Sequence, residues 1–166
     1  MVAGRSTRSL GVMGSDAEIL QAIDAAFGAT PKPAHFTDFE HCEECADHDR
    51  LLVSRSRDTL QLSDVDNPGW DPLCFTKAEG IAYLLPTLAR FALKRPNAEY
   101  EWYGDQLMFH LYSGFRDNRL YIWASAQQKR AIAQFVGHLI ESRSELIDRC
   151  AGEDDFLRCY ELWHDT

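Results

Sequence analysis

Three short strings constrain what this chain can fold into. "SDAE" at 15–18, "TKAE" at 76–79 and "SAQQ" at 125–128 each set Ser or Thr three residues ahead of Glu or Gln. That is the reciprocal pattern which satisfies the free N–H groups of a helix start. Behind each string, apolar residues recur at helical spacing. Ile19, Leu20, Ile23 and Phe27 follow the first; Ile81, Leu84, Leu85, Leu88 and Ala92 follow the second. After the third, Ile132, Phe135, Val136, Leu139, Ile140, Leu146 and Ile147 continue one stripe from Ala126 to about Cys150.

The segments between fill in the plan. Gly28 ends the first helix, and the prolines of "TPKPAHF" keep it from resuming. A second helix is predicted over Thr37 to Ser54. Residues 55–75 form a long irregular loop in which Asn67-Pro68-Gly69 suits a type II turn, with Trp70 and Phe75 tucked onto the core. Pro86 predicts a kink in the third helix, or two shorter ones. A fourth helix is placed from Asp105 to Ser113, residues 119–123 read as a short strand or a helix lead-in, and "DDFLRCYELWHD" makes a last amphipathic helix. The expectation is a mainly α single domain over 15–166, a bundle of five or six helices, behind a flexible leader at 1–14 in which Met13 is a second candidate start.

The chain's 166 residues suffice for one substantial core. Its net charge is −9, from 17 basic and 26 acidic residues, with no Lys/Arg cluster. A nucleic-acid surface needs a basic footprint, so that partner class is set aside. An acidic surface favours solubility and steers a basic partner. The five cysteines are odd in number and irregularly spaced, and no apolar run resembles a signal peptide or spans a bilayer. A cytoplasmic protein with reduced thiols is expected.

One stretch suggests chemistry. "HCEECADHD", residues 41–49, holds His41, Cys42, Cys45 and His48. On a helix at about 100° per residue these four share one broad face with Leu52 and Val53, opposite Glu43, Glu44 and Asp47. That is the pattern of an amphipathic helix whose cysteines point into the core. The alternative is a zinc site on Cys42 and Cys45 with His48 or His41, completed by a distant Cys74, His110 or Cys159; no second close pair of ligands exists. A redox Cys-x-x-Cys belongs at a helix start. Here helical residues are expected to precede the pair, and acidic neighbours raise a thiol's pKa, so redox chemistry is disfavoured.

Other signals are weaker. His110 is either a base beside Asp105 or a hydrogen-bonded core residue, and His138 poses the same choice. Asp64, Asp66 and Asp71 resemble a calcium loop only loosely, lacking its glycine and terminal glutamate. No P-loop, G-x-G-x-x-G, G-x-S-x-G or H-E-x-x-H is present.

"HCEEC", "PGWDPLCF" and "KAEGIAYLLPTLARFAL" together resemble a family of small soluble bacterial proteins of no assigned activity, marked by a C-x-E-C element and then a Y-x-L-P helix segment. The match lies at Cys42, Glu44, Cys45, Tyr83, Leu85 and Pro86, and spans about residues 30–95. It implies a bacterial, soluble protein. Two functions fit these features. The first is a non-enzymatic acidic binding protein, an immunity protein or antitoxin neutralising a basic protein, with Glu43, Glu44, Asp47 and Trp70 as contacts and no cofactor. The second is a zinc-binding domain centred on Cys42 and Cys45, with His48 as a further ligand.

Overall fold

The computed structural model describes residues 14–96 and 101–165. Among these residues there are eight α-helices and no strand: α1 Asp16–Phe27, α2 Glu43–Val53, α3 Ala78–Leu93, α4 Tyr103–Tyr112, α5 Arg119–Trp123, α6 Ala126–Ser142, α7 Ser144–Arg149 and α8 Glu153–His164. The mainly α expectation holds, with more helices than five or six. Apart from Gly14, the leader lies outside the described residues, as does Met13.

Two of the three capping boxes form. Ser15 and Glu18 cap α1, and Ser125 and Gln128 cap α6, each pair bonding reciprocally. The third does not. Helix α3 starts after Lys77, which offers no side-chain cap. The Thr76 hydroxyl instead donates to the Pro72 carbonyl at 2.8 Å, because the preceding tight turn draws it inward.

Three further expectations are corrected. Residues 119–123 are helix α5, not a strand: the Asn118 carboxamide accepts the Leu120 and Tyr121 N–H groups at 3.0 and 3.1 Å. A strong N-cap outweighs the strand preference of Tyr, Ile and Trp. The long helix to Cys150 breaks at Arg143, whose guanidinium turns inward to Asp16 Oδ2 and the Leu93 carbonyl, both at 2.6 Å. Asn67-Pro68-Gly69 makes no type II turn; Asn67 caps a 3-10 turn over Pro68–Trp70 by accepting the Gly69 N–H at 3.0 Å. Pro86, for its part, sits inside a single helix.

Helix α3 is the axis of the bundle. Every residue from Gly80 to Ala89 is buried, so its apolar stripe widens to a full circumference, as in a helix surrounded by others. Helices α1, α4 and α5 pack on it; α6 packs on α1 and α8, and α8 on α4. Phe27, Phe135, Phe156 and Trp163 fill the spaces between. Trp163 is fully buried and donates its indole N–H to the Leu111 carbonyl at 2.9 Å, which removes the cost of an unpaired buried donor. None of the described helices is long and apolar enough to cross a membrane.

Helix α2 stands apart from this bundle and packs on the 3-10 turn Pro72–Phe75. The segment around 55–75 is thus irregular as expected, but ordered as three 3-10 turns. Arg57 ties it down: its guanidinium donates to the carbonyls of Phe27, Gly28, Thr30 and Tyr83 at 2.6–3.1 Å. The first two are orphan carbonyls at the end of α1.

Candidate functional site

The thiol cluster sits where the loop after α1 meets α2. Asp49, on α2, organises that loop. Its Oδ1 accepts the Phe36 and Thr37 N–H groups at 2.7 and 3.0 Å, and its Oδ2 lies 2.7 Å from His35 Nδ1. The Thr37 hydroxyl donates to the Cys45 carbonyl at 2.7 Å. Phe36 is fully buried and its carbonyl accepts the Lys77 N–H at 2.7 Å, fastening the loop to the start of α3. The middle of the loop, His35 to Thr37, is therefore held from two sides.

Burial pushes the Asp49 carboxyl up, but the His35 hydrogen bond and the two amides outweigh it and hold it below the usual range. Asp49→Ala would strand two buried amides, at roughly 1–3 kcal/mol for each unmade bond. We expect a loss of about 2–4 kcal/mol in denaturant unfolding; a change under about 0.5 kcal/mol, the size of an ordinary surface substitution, would show that the loop is held otherwise.

The helix starts later than the Thr37 predicted from sequence, and this changes the chemistry. Cys42 is the N-cap of α2, with extended backbone (φ −160°, ψ 168°), and its Sγ accepts the Cys45 N–H at 3.3 Å. The two sulfurs are 3.0 Å apart. His41 Nδ1 lies 3.7 Å from Cys45 Sγ. Donor atoms of His41, Cys42 and Cys45 all fall within 4.8 Å of one another. Cys42 is exposed and Cys45 buried. The premise that helical residues precede the pair is thus overturned: the Cys-x-x-Cys opens the helix. Reading Cys42 as a core residue also fails, whereas Cys45 does point inward.

The electrostatics follow from that position. The Cys45 thiol and N–H, with His41, hold Cys42 below the ordinary thiol range, as is usual for a thiol at a helix N-terminus. Cys45 is pushed up to about 11 by its bond to Cys42, by burial, and by the charges of Asp38 and Glu44. The Cys42 hydrogen bond and charge raise His41. An exposed nucleophilic thiol, a buried partner and an adjacent imidazole can do two things chemically. They can bind a borderline-soft metal ion, or exchange with a disulfide.

The remaining sequence candidates lie around this cluster. Glu43 is exposed, Glu44 and Asp47 half-buried, and Asp47 is ion-paired with Arg50 on the outer face of α2. His48 does not join the metal-binding group. Its ring is fully buried between Trp70 (centroids 4.5 Å) and Phe75 (5.0 Å), with Nε2 3.6 Å from Glu44. Trp70 is 45% exposed, so it covers His48 while showing one side to solvent.

His110 pairs with Asp71, not Asp105, at 2.6 Å; both are buried. His138 pairs with Asp16 at 2.6 Å, beside Arg143. The core readings of both histidines are the ones the contacts support. Asp64 is committed to Arg55 at 2.9 and 3.0 Å, and Asp71 to His110, so two of the three loop acids are engaged by protein donors rather than gathered for calcium. A second potential donor group comprises Asp71, Cys74 and His110. Its carboxylate already accepts from Leu73, Gln106 and His110, which leaves it little capacity for a metal.

Helical spacing leaves His48 and His41 both open as the third donor, and the structure puts His41 in that place. The signal for His41 lies in the N-cap: an extended residue there turns the side chain before it toward the first turn of the helix. No protein-family model, curated protein or solved structure matches this chain.

Proposed function

We propose that this chain is a metal-binding protein, with zinc as the ion its donors suit, held by His41, Cys42 and Cys45. The observation that carries this is the convergence of one imidazole and two thiols within 4.8 Å at a braced helix start. A redox pair needs only the thiols. The third donor, of the type zinc prefers beside sulfur, favours coordination. The three donors leave the fourth position of a tetrahedral ion to a water. Exposure of His41 and Cys42 leaves that side open to solvent, as in zinc centres that keep a position free.

The test is zinc competition against a chromophoric chelator, under reducing conditions. Cys42→Ser, Cys45→Ser and His41→Ala should each weaken binding by at least tenfold, and His48→Phe should leave it unchanged. Equal affinity across the thiol variants and wild type would remove the reading.

A second reading has its own observation. Trp70 stands half-exposed over His48 next to Glu44, on the acidic side of α2, and the chain carries a net charge of −9. An aromatic anchor rimmed by carboxylates suits a basic protein surface, which supports an acidic binding protein of the immunity or antitoxin kind. Affinity capture at low and moderate salt, with wild type and a Glu43→Gln/Glu44→Gln/Asp47→Asn variant, is the check. A basic protein held by the first and lost by the second supports it; none held at either salt counts against it.

A further inference from the structure

The Cys42–Cys45 pair is built unevenly. Cys42 is the N-cap of α2 and exposed, whereas Cys45, in the first turn of the helix, is 5% exposed. Their sulfurs lie 3.0 Å apart. A reagent in solvent therefore reaches the first thiol and not the second. A bond formed at the outer sulfur is nonetheless open to attack from within, since the inner sulfur already touches the outer one. The Cys45 N–H lies 3.3 Å from Cys42 Sγ. It is aimed at the charge which that sulfur carries as a nucleophile, and such a fixed donor stabilises charge without having to reorganise.

The frame around the pair, rather than the thiols, holds this spacing. The Thr37 hydroxyl donates to the Cys45 carbonyl at 2.7 Å, and Asp49, on the same helix, fixes the Phe36 and Thr37 amides. Cys42 has an extended backbone at φ −160°, so no unusual conformation is needed to bring the sulfurs together. Exposure alone does not distinguish Cys42, for Cys74 and Cys150 are exposed too. The neighbouring sulfur and the aimed N–H do.

We infer that Cys42 and Cys45 close to a disulfide by exchange with a low-molecular-weight disulfide, and that the site holds metal only while the pair is reduced. The metal half rests on the zinc reading above; the disulfide half rests on the thiols alone. The Cys42 thiolate attacks one sulfur of the small disulfide, which forms a mixed disulfide and releases one small thiolate. Cys45 gives its proton to solvent and attacks the Cys42 sulfur, which forms the Cys42–Cys45 bond and releases the second small thiolate. Both small thiolates take up a proton from solvent. The protein pair is oxidised by two electrons, and one small disulfide is reduced to two thiols. Closing consumes both sulfur ligands, because only a deprotonated thiol binds the ion, and leaves His41 as a lone donor.

Mass spectrometry of the full chain decides it, in a Cys74→Ser/Cys150→Ser background that removes the two other exposed thiols. The reduced, metal-free chain is mixed with glutathione disulfide, quenched with acid and mapped by peptide. It should lose two hydrogens, one each from Cys42 and Cys45, and regain them with dithiothreitol. Cys45→Ser should stop with one glutathione on Cys42, and Cys42→Ser should react at least tenfold more slowly. A chain that does not react, one that keeps glutathione on Cys42 beside an intact Cys45, or an unchanged rate in Cys42→Ser overturns the inference. If Cys45→Ser does not fold, the mapped products of the background chain still decide. One equivalent of zinc, offered to the reduced and the closed chain, reads the metal half. The reduced chain should carry an adduct and the closed chain none; equal binding by both overturns the control by oxidation. Closure without zinc binding by the reduced chain removes the metal reading and the metal half with it, and leaves the disulfide half intact.

Discussion

Asp71→Ala is expected to cost the fold roughly 3–5 kcal/mol, from about 1–3 kcal/mol for each buried donor it leaves unpaired. Asp71 and His110 are both at most 5% exposed, 2.6 Å apart. The carboxylate also accepts the Leu73 N–H at 2.9 Å and the Gln106 carboxamide at 2.7 Å. It thereby joins α4 to the turn on which α2 rests. Without it, one imidazole, one amide and one carboxamide are left short of partners in a dry environment. Urea unfolding at fixed pH, with an unchanged m-value, measures the loss. A change below about 1 kcal/mol, less than one stranded buried group costs, would mean that water or a side-chain shift replaces the carboxylate.

The same group makes the fold acid-sensitive. Burial pushes the Asp71 carboxyl up, but His110, Gln106 and the Leu73 N–H outweigh it and hold it below the usual carboxylate range. A carboxyl that binds its proton less readily when folded contributes fully above its unfolded value, near 4, and loses that contribution as pH falls through the folded value. Stability should therefore decline below about pH 4. Asp71→Asn should flatten that decline. An acid limb identical in the two proteins would assign it to Asp49 or Asp16, the other carboxyls held low.

Zinc is expected to raise the melting temperature by roughly 5–10 °C when free metal exceeds its dissociation constant 100-fold, from the mass-action gain and the usual sensitivity for a chain of this size. The rise should vanish in Cys42→Ser/Cys45→Ser and reverse with chelator, because ligation binds the folded loop and not the open chain. A thermal scan that zinc does not move, or moves equally in the double variant, would contradict the assignment.

Much of the fold was legible in the sequence because its signals are local. The Ser15 and Ser125 capping boxes and the 3.6-residue stripes behind them depend only on residues within one or two turns. Two of the failures are cases where a more distant partner decides. Arg143 ends α6 because Asp16 and Leu93, far off in sequence, accept its guanidinium. Thr76, by contrast, abandons its capping box for a local partner, the Pro72 carbonyl four residues back. Helix α2 starts at Glu43 and not near Thr37 because Asp49 captures the Phe36 and Thr37 amides and holds that stretch in a bend outside the helix.

That last difference moved the candidate site. With Cys42 inside a helix, a helical wheel puts His41 and His48 alike on the cysteine face and does not choose between them. With Cys42 as the N-cap, His41 folds back over the first turn instead, while His48 goes under Trp70. Cys42 and Cys45 were legible from spacing alone. The third donor depended on where the helix began, and that on a hydrogen bond between α2 and a loop.

Whether the thiol cluster holds zinc is answered by native mass spectrometry of the reduced full chain, purified without chelator or a metal-affinity tag and then given one equivalent of zinc. Wild type should carry a single zinc adduct that displaces two thiol protons, and Cys42→Ser/Cys45→Ser and His41→Ala should carry none at the same concentration. A metal-free wild-type mass, or an adduct that persists in both variants, would contradict a zinc site on His41, Cys42 and Cys45.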